Sequence, residues 1–361
     1  MSVLHKYSLH CIMPWKAFFM DERDGVIRTL PCCANWINRI YGILEHDTTV
    51  EELWNSKGAQ EIRRLIIEGR QGEICSRDCP WLYSGRFTEV NLHVIPGTHA
   101  FEENQHLNIE EICARKLILR SRPMLVRVIP TLECNIQCRM CNQKKHKINI
   151  SEKFRREIFE LGPYLYDLQL HGGEVIISHE FERWTSSELF GKNPDLKLSL
   201  ITNATTIPKK AQAILEDVRI NYITVSINAA SRSTYAFITA SDLFENVIRN
   251  TIFLRDLGLN HRRGEFDVYL SFVIMKSNYH ELPDFINLAH NIGVPFRLLL
   301  VIGDRESIYT DTLLLNDVSF TVESCIKWVA DGDSIKELYM IHDALKHHIG
   351  MTQNNVDVKK T

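Results

Sequence analysis

The sequence predicts an α/β fold, a partial (β/α)6 barrel preceded by a small hairpin-plus-helix unit, and two patterns carry this prediction. From Met124 onward, short runs rich in Val, Ile and Leu alternate with helical segments, which is typical of a parallel sheet with crossover helices. Since such crossovers are almost always right-handed, the sheet should bend into a partial barrel. Before Met124, an Asp24-Gly25 pair between two apolar runs predicts a β-hairpin.

The barrel elements follow one another in the order strand, helix, strand. The predicted strands are Met124–Glu133, Asp167–Val175, Leu196–Asn203, Tyr222–Asn228, Phe266–Met275 and Pro295–Ile302. The predicted helices between them are Ser151–Leu165, His179–Phe190, Pro208–Val218, Ser231–Gly258 and Tyr279–Ile292. The expected domains are the small unit at 1–85, a linker helix region at 86–122 with its helix at Ile109–Leu119, the barrel at 123–305, and a helical extension at 306–361.

Composition argues against several classes of partner. Lys and Arg total 42 against 45 Asp and Glu, so the net charge of −3 gives no reason to expect nucleic acid or a membrane surface. No run reaches the roughly 18 apolar residues of a membrane helix, and Met1–Ser8 lacks the apolar core of a secretory signal, which predicts a cytoplasmic location. In a reducing cytosol, ten cysteines indicate metal binding rather than disulfides.

The segment Thr131–Asn142 places Cys134, Cys138 and Cys141 in a C-x3-C-x2-C spacing directly after a predicted strand. Three thiolates on one loop can hold a cubane iron–sulfur cluster and leave one iron open to a substrate. The spacing favours a cluster over zinc, whose sites usually combine a paired knuckle with two distant ligands. A zinc site and unrelated buried thiols remain the alternatives.

The next strand runs into His171-Gly172-Gly173-Glu174, a glycine pair of the kind used where a backbone must approach a ligand closely. With the cysteine triplet and this Gly-Gly-Glu segment, the chain resembles the radical S-adenosylmethionine (SAM) superfamily, whose fold is a partial TIM-like barrel. The resemblance implies that the three cysteines hold a [4Fe-4S] cluster, that the open iron chelates SAM, and that the Gly-Gly-Glu segment hydrogen-bonds the SAM amino group.

The resemblance extends to the ends of the other strands. The implied SAM-binding residues are Met140, His171, Gly172, Gly173, Glu174, Thr202, Asn203, Ser226, Asn228, Arg232 and Met275. Three positions depart from the family pattern, because Met140 replaces an aromatic residue, Ala204 a glycine and Asn228 an aspartate. A polar side chain at a strand end can equally serve local backbone groups, so each of these positions has a structural alternative.

Five further cysteines lie in the small N-terminal unit, in the order Cys11, Cys32, Cys33, Cys75 and Cys79. The unit reads as a hairpin of Ala17–Met20 and Val26–Leu30 followed by a helix, Val50–Glu68. Small units with little core are often held together by a metal. Four thiolates also suit zinc, which is the alternative for this site.

The pattern of a C-x2-PW opening, a hairpin ending in a cysteine, an ELWNS segment and a late C-x3-C resembles the SPASM/twitch auxiliary-cluster domain. In N-terminal twitch radical SAM proteins this domain precedes the barrel. The resemblance implies a second, auxiliary [4Fe-4S] cluster with ligands Cys11, Cys32, Cys75 and Cys79. Cys32 and Cys33 compete for one of these positions, and Cys32 is preferred.

The activity implied by the resemblance is reductive cleavage of SAM, giving a 5′-deoxyadenosyl radical that abstracts hydrogen from a substrate. The implied partners are a peptide or small-molecule substrate and an electron donor such as flavodoxin or ferredoxin. The sequence singles out no general base or substrate ligand. A non-catalytic iron–sulfur protein for electron transfer or sensing is the alternative, but it would need neither an open iron nor the Gly-Gly-Glu segment.

Overall fold

A computed structural model describes Leu9, residues 11–76, Cys79 and residues 94–358, with side chains up to residue 350. The chain divides into two compact units. The first comprises Met1–Thr131, Lys147–Gly172 and His179–Ser199, and the second comprises Leu132–His146, Gly173–Ser178 and Leu200–Thr361. Residues 77, 78 and 80–93, which include part of the predicted linker, lie outside the described residues.

The first unit contains five complete strands in the order β3-β2-β1-β4-β5. They are β1 (Ala17–Arg23), β2 (Val26–Leu30), β3 (Gly42–Ile43), β4 (Leu125–Val128) and β5 (Asp167–Leu170). β1 is antiparallel to β2 but parallel to β4, and β4 is parallel to β5. The N-terminal hairpin therefore extends the same sheet as the first two barrel strands.

The hairpin predicted at Asp24-Gly25 is confirmed. Both turn residues have positive φ, 53° for Asp24 and 84° for Gly25, and Arg23 pairs with Val26 across the turn. Positive φ at both central residues is the requirement of a type I′ turn, whose twist matches that of the flanking strands.

The helices of the first unit are α1 (Met13–Lys16), α2 (Val50–Trp54), α3 (Lys57–Ile67), α4 (His99–Cys113), α5 (Glu152–Glu160), α6 (His179–Trp184) and α7 (Ser187–Phe190). The single helix predicted for Val50–Glu68 is divided into α2 and α3. The division occurs because Ser56 caps α3 by accepting a hydrogen bond from the Ala59 N–H at 3.0 Å, and a capping residue has non-helical backbone.

The linker helix lies earlier in the chain than predicted. It is α4, which ends at Cys113 because Arg115 adopts φ 54°, so Leu117 and Leu119 of the predicted helix Ile109–Leu119 lie beyond its end. The position of this helix was predicted wrongly because most of its buried side chains are polar, so that apolar residues do not recur at helical spacing. Asn108, fully buried, donates to the Trp15 carbonyl at 2.6 Å.

The second unit contains β7 (Ile220–Ser226), β8 (Asp267–Ile274) and β9 (Phe296–Leu300), which are parallel and adjacent in that order. β6 (Lys197–Thr202) is divided between the units after Ser199. The helices here are α8 (Lys209–Asp217), α9 (Arg232–Thr239), α10 (Phe244–Leu259), α11 (Leu282–Ile292), α12 (Thr312–Ile326) and α13 (Gly332–Val358). The predicted helix Ser231–Gly258 is divided into α9 and α10 because Ala240 has φ 52°.

The predicted α/β class with a mostly parallel sheet is confirmed, since a strand overlaps each of the six predicted barrel strands. β4 and β5 are shorter than predicted, ending at Val128 and Leu170 instead of Glu133 and Val175. Within the described ranges, no helix is both long and apolar enough to cross a bilayer. The domain boundaries at 85, 122 and 305 remain predictions.

Candidate functional site

The three cysteines of the triplet lie on the cysteine loop, which we define as residues 132–146. The loop closes on itself, since the Leu132 N–H donates to the His146 carbonyl at 3.0 Å. Its centre is fixed to the end of α9 by two backbone hydrogen bonds, from Gln137 to the Thr239 carbonyl at 3.0 Å and from Arg139 to the Ile238 carbonyl at 2.8 Å. These hydrogen bonds to α9 therefore hold the loop in its conformation.

The thiols of the triplet lie close enough together to influence one another. Burial raises the pKa of Cys138 to about 12, and the neighbouring thiols of Cys134 and Cys141 add to the rise. The pKa of Cys134 is also raised by burial, against the effect of a hydrogen bond to the Ile136 backbone. These are the donors that a cluster with three cysteine ligands requires.

Asn203, at the end of β6, joins this strand to the cysteine loop. Its amide nitrogen lies 3.7 Å from Cys134 Sγ and donates to Asn135 Oδ1 at 2.9 Å. Asn135 in turn donates to Thr205 Oγ1 at 2.8 Å. Asn203 was predicted from its motif, whereas Asn135 and Thr205 were not, because a polar residue beside each motif was their only signal in the sequence.

Glu174 is almost fully buried, at 1% exposure, and its carboxylate holds the end of β6. It accepts hydrogen bonds from Thr202 Oγ1 at 2.7 Å and from the Asn203 N–H at 2.5 Å. Burial raises its pKa to about 7, and these two hydrogen bonds act in the opposite direction. Glu174, Thr202, Asn203 and Cys134 thus form one connected group.

The two glycines before Glu174 are required by close backbone contact. A Cβ atom on Gly173 would lie 2.1 Å from the Glu133 carbonyl oxygen, and one on Gly172 would lie 2.3 Å from that of Thr131. No side chain fits at either distance. The close approach expected from the glycine pair is therefore made to the backbone of residues 131–133.

The predicted residues at the ends of β7 and β8 make local contacts. Asn228 has φ 57° and accepts from the Val273 N–H at 2.8 Å, and its carbonyl accepts from Asn278 Nδ2 at 2.9 Å. The Met275 side chain is fully buried, and its N–H donates to Asn278 Oδ1 at 2.7 Å. Ser226 Oγ accepts from the Ser271 hydroxyl at 3.4 Å. No hydrogen bond among the described residues joins these positions to Glu174 or Asn203.

Three other predicted residues lie in different surroundings. Arg232 is exposed and forms a two-point ion pair with Asp242 at 2.5 and 2.6 Å. Met140 is half-buried in the cysteine loop, and His171 is half-buried after β5 in the first unit. The ion pair places Arg232 in a local role, and its predicted contact with a SAM carboxylate remains a proposal.

The loop of residues 303–306, after β9, contacts the cysteine loop, and this contact was not predicted. Arg305 donates to the Cys141 carbonyl at 2.9 Å, and Glu306 accepts from Arg139 Nε at 3.0 Å. The Arg139 guanidinium also lies over the Phe237 ring at 4.2 Å. A charged D-R-E run beyond the last strand was the only sequence signal for this contact.

A second group of thiols lies within the first unit. The Cys32 thiol is within electrostatic range of Cys11, Cys33, Cys75 and Cys79, and burial followed by these thiols raises its pKa well above the ordinary value. Burial likewise raises the pKa of Cys11 to about 11 and of Cys75 to about 12. Thiols from positions far apart in sequence thus lie within electrostatic range of one another, and their role as ligands of one cluster stays a prediction.

Buried Arg63 fixes the backbone next to Cys11. Its guanidinium donates to the Pro14 carbonyl at 2.9 Å and to the Trp54 carbonyl at 2.8 Å, and it lies over the Trp54 ring at 4.8 Å. Tyr41 donates to the same Pro14 carbonyl at 3.2 Å. Arg63 and Tyr41 therefore hold Pro14, which lies three residues after the first cysteine.

Among the residues that the structure describes, no three or more His, Cys, Asp or Glu side chains are arranged to hold one metal ion. In a cubane cluster each thiolate binds a different iron, so its ligands surround a cluster rather than one centre.

A family model matches the segment that runs from the end of β4 into α11. Residues 128–289 match the model of the radical SAM superfamily. This range includes the three cysteines, the Gly-Gly-Glu segment and the ends of β6 to β8. The match covers less than half of the chain and leaves the substrate undetermined.

Several curated relatives are each named "Probable GTP 3',8-cyclase". The one from Methanococcus aeolicus is 24% identical over 181 residues, covering 48% of this chain and 58% of that protein. Those from Methanocaldococcus jannaschii and Saccharolobus solfataricus are 22% and 27% identical, covering 58% and 47% of this chain and 74% and 54% of those proteins. The chain thus spans little more than half the length of the Methanococcus and Saccharolobus relatives.

Solved structures align with this chain at low identity. Streptococcus suis SuiB bound to S-adenosylmethionine gives a TM-score of 0.47 at 15% identity, over 77% of this chain and 62% of that chain. SuiB bound to its precursor peptide SuiA gives 0.47 at 14% identity, over 75% and 59%. Methylornithine synthase gives 0.40 at 12% identity, over 68% and 73%. At this level of similarity the alignments say nothing about the substrate of this chain.

Proposed function

We propose that this chain is a radical SAM enzyme that cleaves SAM reductively at a [4Fe-4S] cluster held by Cys134, Cys138 and Cys141. The observation that carries the proposal is the gathering of these thiols on one loop, with Cys134 Sγ 3.7 Å from the Asn203 amide. Three thiolates leave one iron of a cubane open. The match of residues 128–289 to the superfamily supports the same assignment.

In this proposal, residues around the cysteine loop orient a cluster ligand and contact SAM. Asn203 orients the Cys134 thiolate through its amide, and Glu174 fixes Asn203 through the backbone N–H. Contacts to SAM are proposed for Met140, His171, Gly172, Gly173, Glu174, Thr202, Asn203, Ser226, Asn228, Arg232 and Met275. A cluster held there would supply one electron to SAM, whose sulfonium C–S bond would break to give methionine and a 5′-deoxyadenosyl radical able to take a hydrogen atom from a substrate.

We also propose that the N-terminal unit, residues 1–85, is a twitch-like domain with one auxiliary [4Fe-4S] cluster. Its ligands in this proposal are Cys11, Cys32, Cys75 and Cys79, and the mutual proximity of these thiols supports it. Cys32 is preferred over Cys33 on the family's cysteine pattern, and its thiol lies within electrostatic range of Cys11, Cys75 and Cys79. Zinc at this place is the alternative.

The substrate is proposed to be a peptide or small molecule, with flavodoxin or ferredoxin as electron donor. The names of the curated relatives favour a small molecule such as a nucleotide, although these relatives are only 22–27% identical. The segment shared with these relatives supports the proposal that this chain also cleaves SAM. A nucleotide substrate like theirs is a proposal for this chain.

Formation of 5′-deoxyadenosine tests the proposed function. Anaerobically reconstituted protein with dithionite and SAM should form it, and a variant with Cys134, Cys138 and Cys141 all changed to Ala should form none. Cys113→Ala, at the end of α4, is the matched control and should retain wild-type formation. Wild-type protein that takes up iron and sulfide but forms no 5′-deoxyadenosine would be the non-catalytic iron–sulfur protein instead.

A further inference from the structure

Tyr235, on α9, has a buried hydroxyl that makes no hydrogen bond to any residue the structure describes. The side chain is 0% exposed, and its ring packs on that of Phe244 at 5.7 Å between centroids. Thr239 is close enough to influence this hydroxyl, but its own proton goes to the Tyr235 carbonyl at 2.8 Å. Because burial of a hydroxyl without a partner costs free energy, the group needs an acceptor that the described residues do not supply.

The Tyr235 hydroxyl lies beside the cysteine loop. Both chain neighbours of Cys138 donate backbone hydrogen bonds to the last two carbonyls of α9, at 3.0 and 2.8 Å, which fastens this cysteine to the end of the helix. Tyr235 is one turn earlier on α9, and its hydroxyl is within electrostatic range of Cys138, Cys134 and Glu174. All four residues belong to the second unit. The hydroxyl therefore faces the place where the cluster is proposed.

Glu174 does not supply the missing acceptor. Its carboxylate accepts from Thr202 Oγ1 at 2.7 Å and from the Asn203 N–H at 2.5 Å, and it makes no hydrogen bond to Tyr235. The neutral thiols nearby are weak acceptors. In a cluster, the same cysteines are thiolates and sulfides lie between the irons, so negatively charged sulfur acceptors are present only when the cluster is bound.

We propose that the Tyr235 hydroxyl donates a hydrogen bond to a sulfur atom of the [4Fe-4S] cluster on the cysteine loop and makes this cluster easier to reduce. This inference rests on the proposed function, because it requires that cluster. Uptake of one electron increases the negative charge on the cluster sulfurs, so an O–H group directed at a sulfur stabilises the reduced form more than the oxidised form. Hydrogen bonds to the sulfurs are among the features that set the reduction potential of such clusters.

A dithionite redox titration of the cluster-loaded full chain, followed by electron paramagnetic resonance, tests this proposal. The signal of the loop cluster is the one absent from the variant with Cys134, Cys138 and Cys141 changed to Ala. Tyr235→Phe removes only the hydroxyl and should make reduction of this cluster about tenfold less favourable, a midpoint potential about 59 mV more negative. Tyr339→Phe, which removes an exposed hydroxyl on α13, is the matched control and should leave the potential unchanged.

Urea denaturation of the apoprotein gives a second, independent measurement. Since the hydroxyl has no partner without the cluster, the Tyr235→Phe apoprotein should unfold at the same urea concentration as wild type or at a higher one. A lower urea midpoint would show that the hydroxyl is bonded within the protein and would overturn the proposal.

Two further outcomes of the titration would also overturn it. One is an unchanged potential of the loop cluster in Tyr235→Phe. The other is an unchanged potential together with weaker SAM binding, which would place the hydroxyl on SAM instead of on the cluster. Failure of the proposed function would be seen separately, as wild-type protein that holds no cluster on the cysteine loop or forms no 5′-deoxyadenosine.

Discussion

Single residues at the end of β6 determine how the cysteine loop is held. Asn203 and Glu174 were both named from their motifs, but their contacts were beyond prediction. The partner of Asn203 is Cys134, from a different strand end 69 positions earlier, and only the fold brings the two together. For the same reason, the sequence could not show that Glu174 binds Thr202.

Glu174 makes folding stability depend on pH. Burial raises its pKa from 4.5 to about 7, so its contribution is fully present below the unfolded-state value and is lost as pH rises through the folded-state value. Between about pH 5.5 and pH 8, the wild-type apoprotein should lose about 2 kcal/mol more of its unfolding free energy than Glu174→Gln, whose side chain does not titrate. Urea denaturation of both proteins at the two pH values measures this difference. Parallel pH dependences would show that Glu174 titrates normally.

Among the elements, α9 connects the cysteine loop to the rest of the second unit. Its last turn accepts hydrogen bonds from Gln137 and Arg139 of the loop. Its first turn is held by Glu281, which is 8% exposed and accepts from the Ala230 N–H at 2.7 Å, Ser231 Oγ at 2.5 Å and Thr234 Oγ1 at 2.6 Å. Glu281 is therefore an anchor for the helix that fixes the loop.

Glu281→Ala should lower the free energy of unfolding by about 3 kcal/mol, since it removes several hydrogen bonds to a buried carboxylate. Glu265→Ala, which removes an exposed carboxylate, is the control and should change stability by less than about 0.5 kcal/mol. Urea denaturation at neutral pH compares the two variants with wild type. Equal stability of both variants would mean that Glu281 does not anchor α9.

Helices and strands were predicted correctly where the spacing of apolar residues was the main signal in the sequence. The six barrel strands and the Asp24-Gly25 hairpin follow directly from apolar runs and turn residues. The position of α4 did not, because buried Asn104, Gln105 and Asn108 serve backbone groups and interrupt the apolar pattern. The breaks at Ser56 and Ala240 depend on capping and on a positive φ, which apolar spacing does not report.

For the whole molecule, the sequence predicted the α/β class but not the place of the N-terminal hairpin, and the convergence of the N-terminal thiols on one cluster stays a prediction. We expected a separate small unit, and β1 instead pairs with β4, joining segments about a hundred residues apart. Apolar runs identify a strand without identifying its neighbour. The N-terminal hairpin thus shares backbone hydrogen bonds with a barrel strand. The two cluster sites, one on the cysteine loop and one among the N-terminal thiols, are proposals.

The central claim is that the cysteine loop holds a cluster with an iron open to SAM. A variant with Cys75 and Cys79 changed to Ala lacks two proposed N-terminal ligands and should retain about four iron per chain, one cluster. After reduction, its electron paramagnetic resonance spectrum should change on addition of SAM, because SAM becomes a ligand of the open iron. In the variant with Cys134, Cys138 and Cys141 changed to Ala, SAM should leave the spectrum unchanged. A SAM-insensitive spectrum in the first variant, or a SAM-dependent change in the second, would contradict the claim.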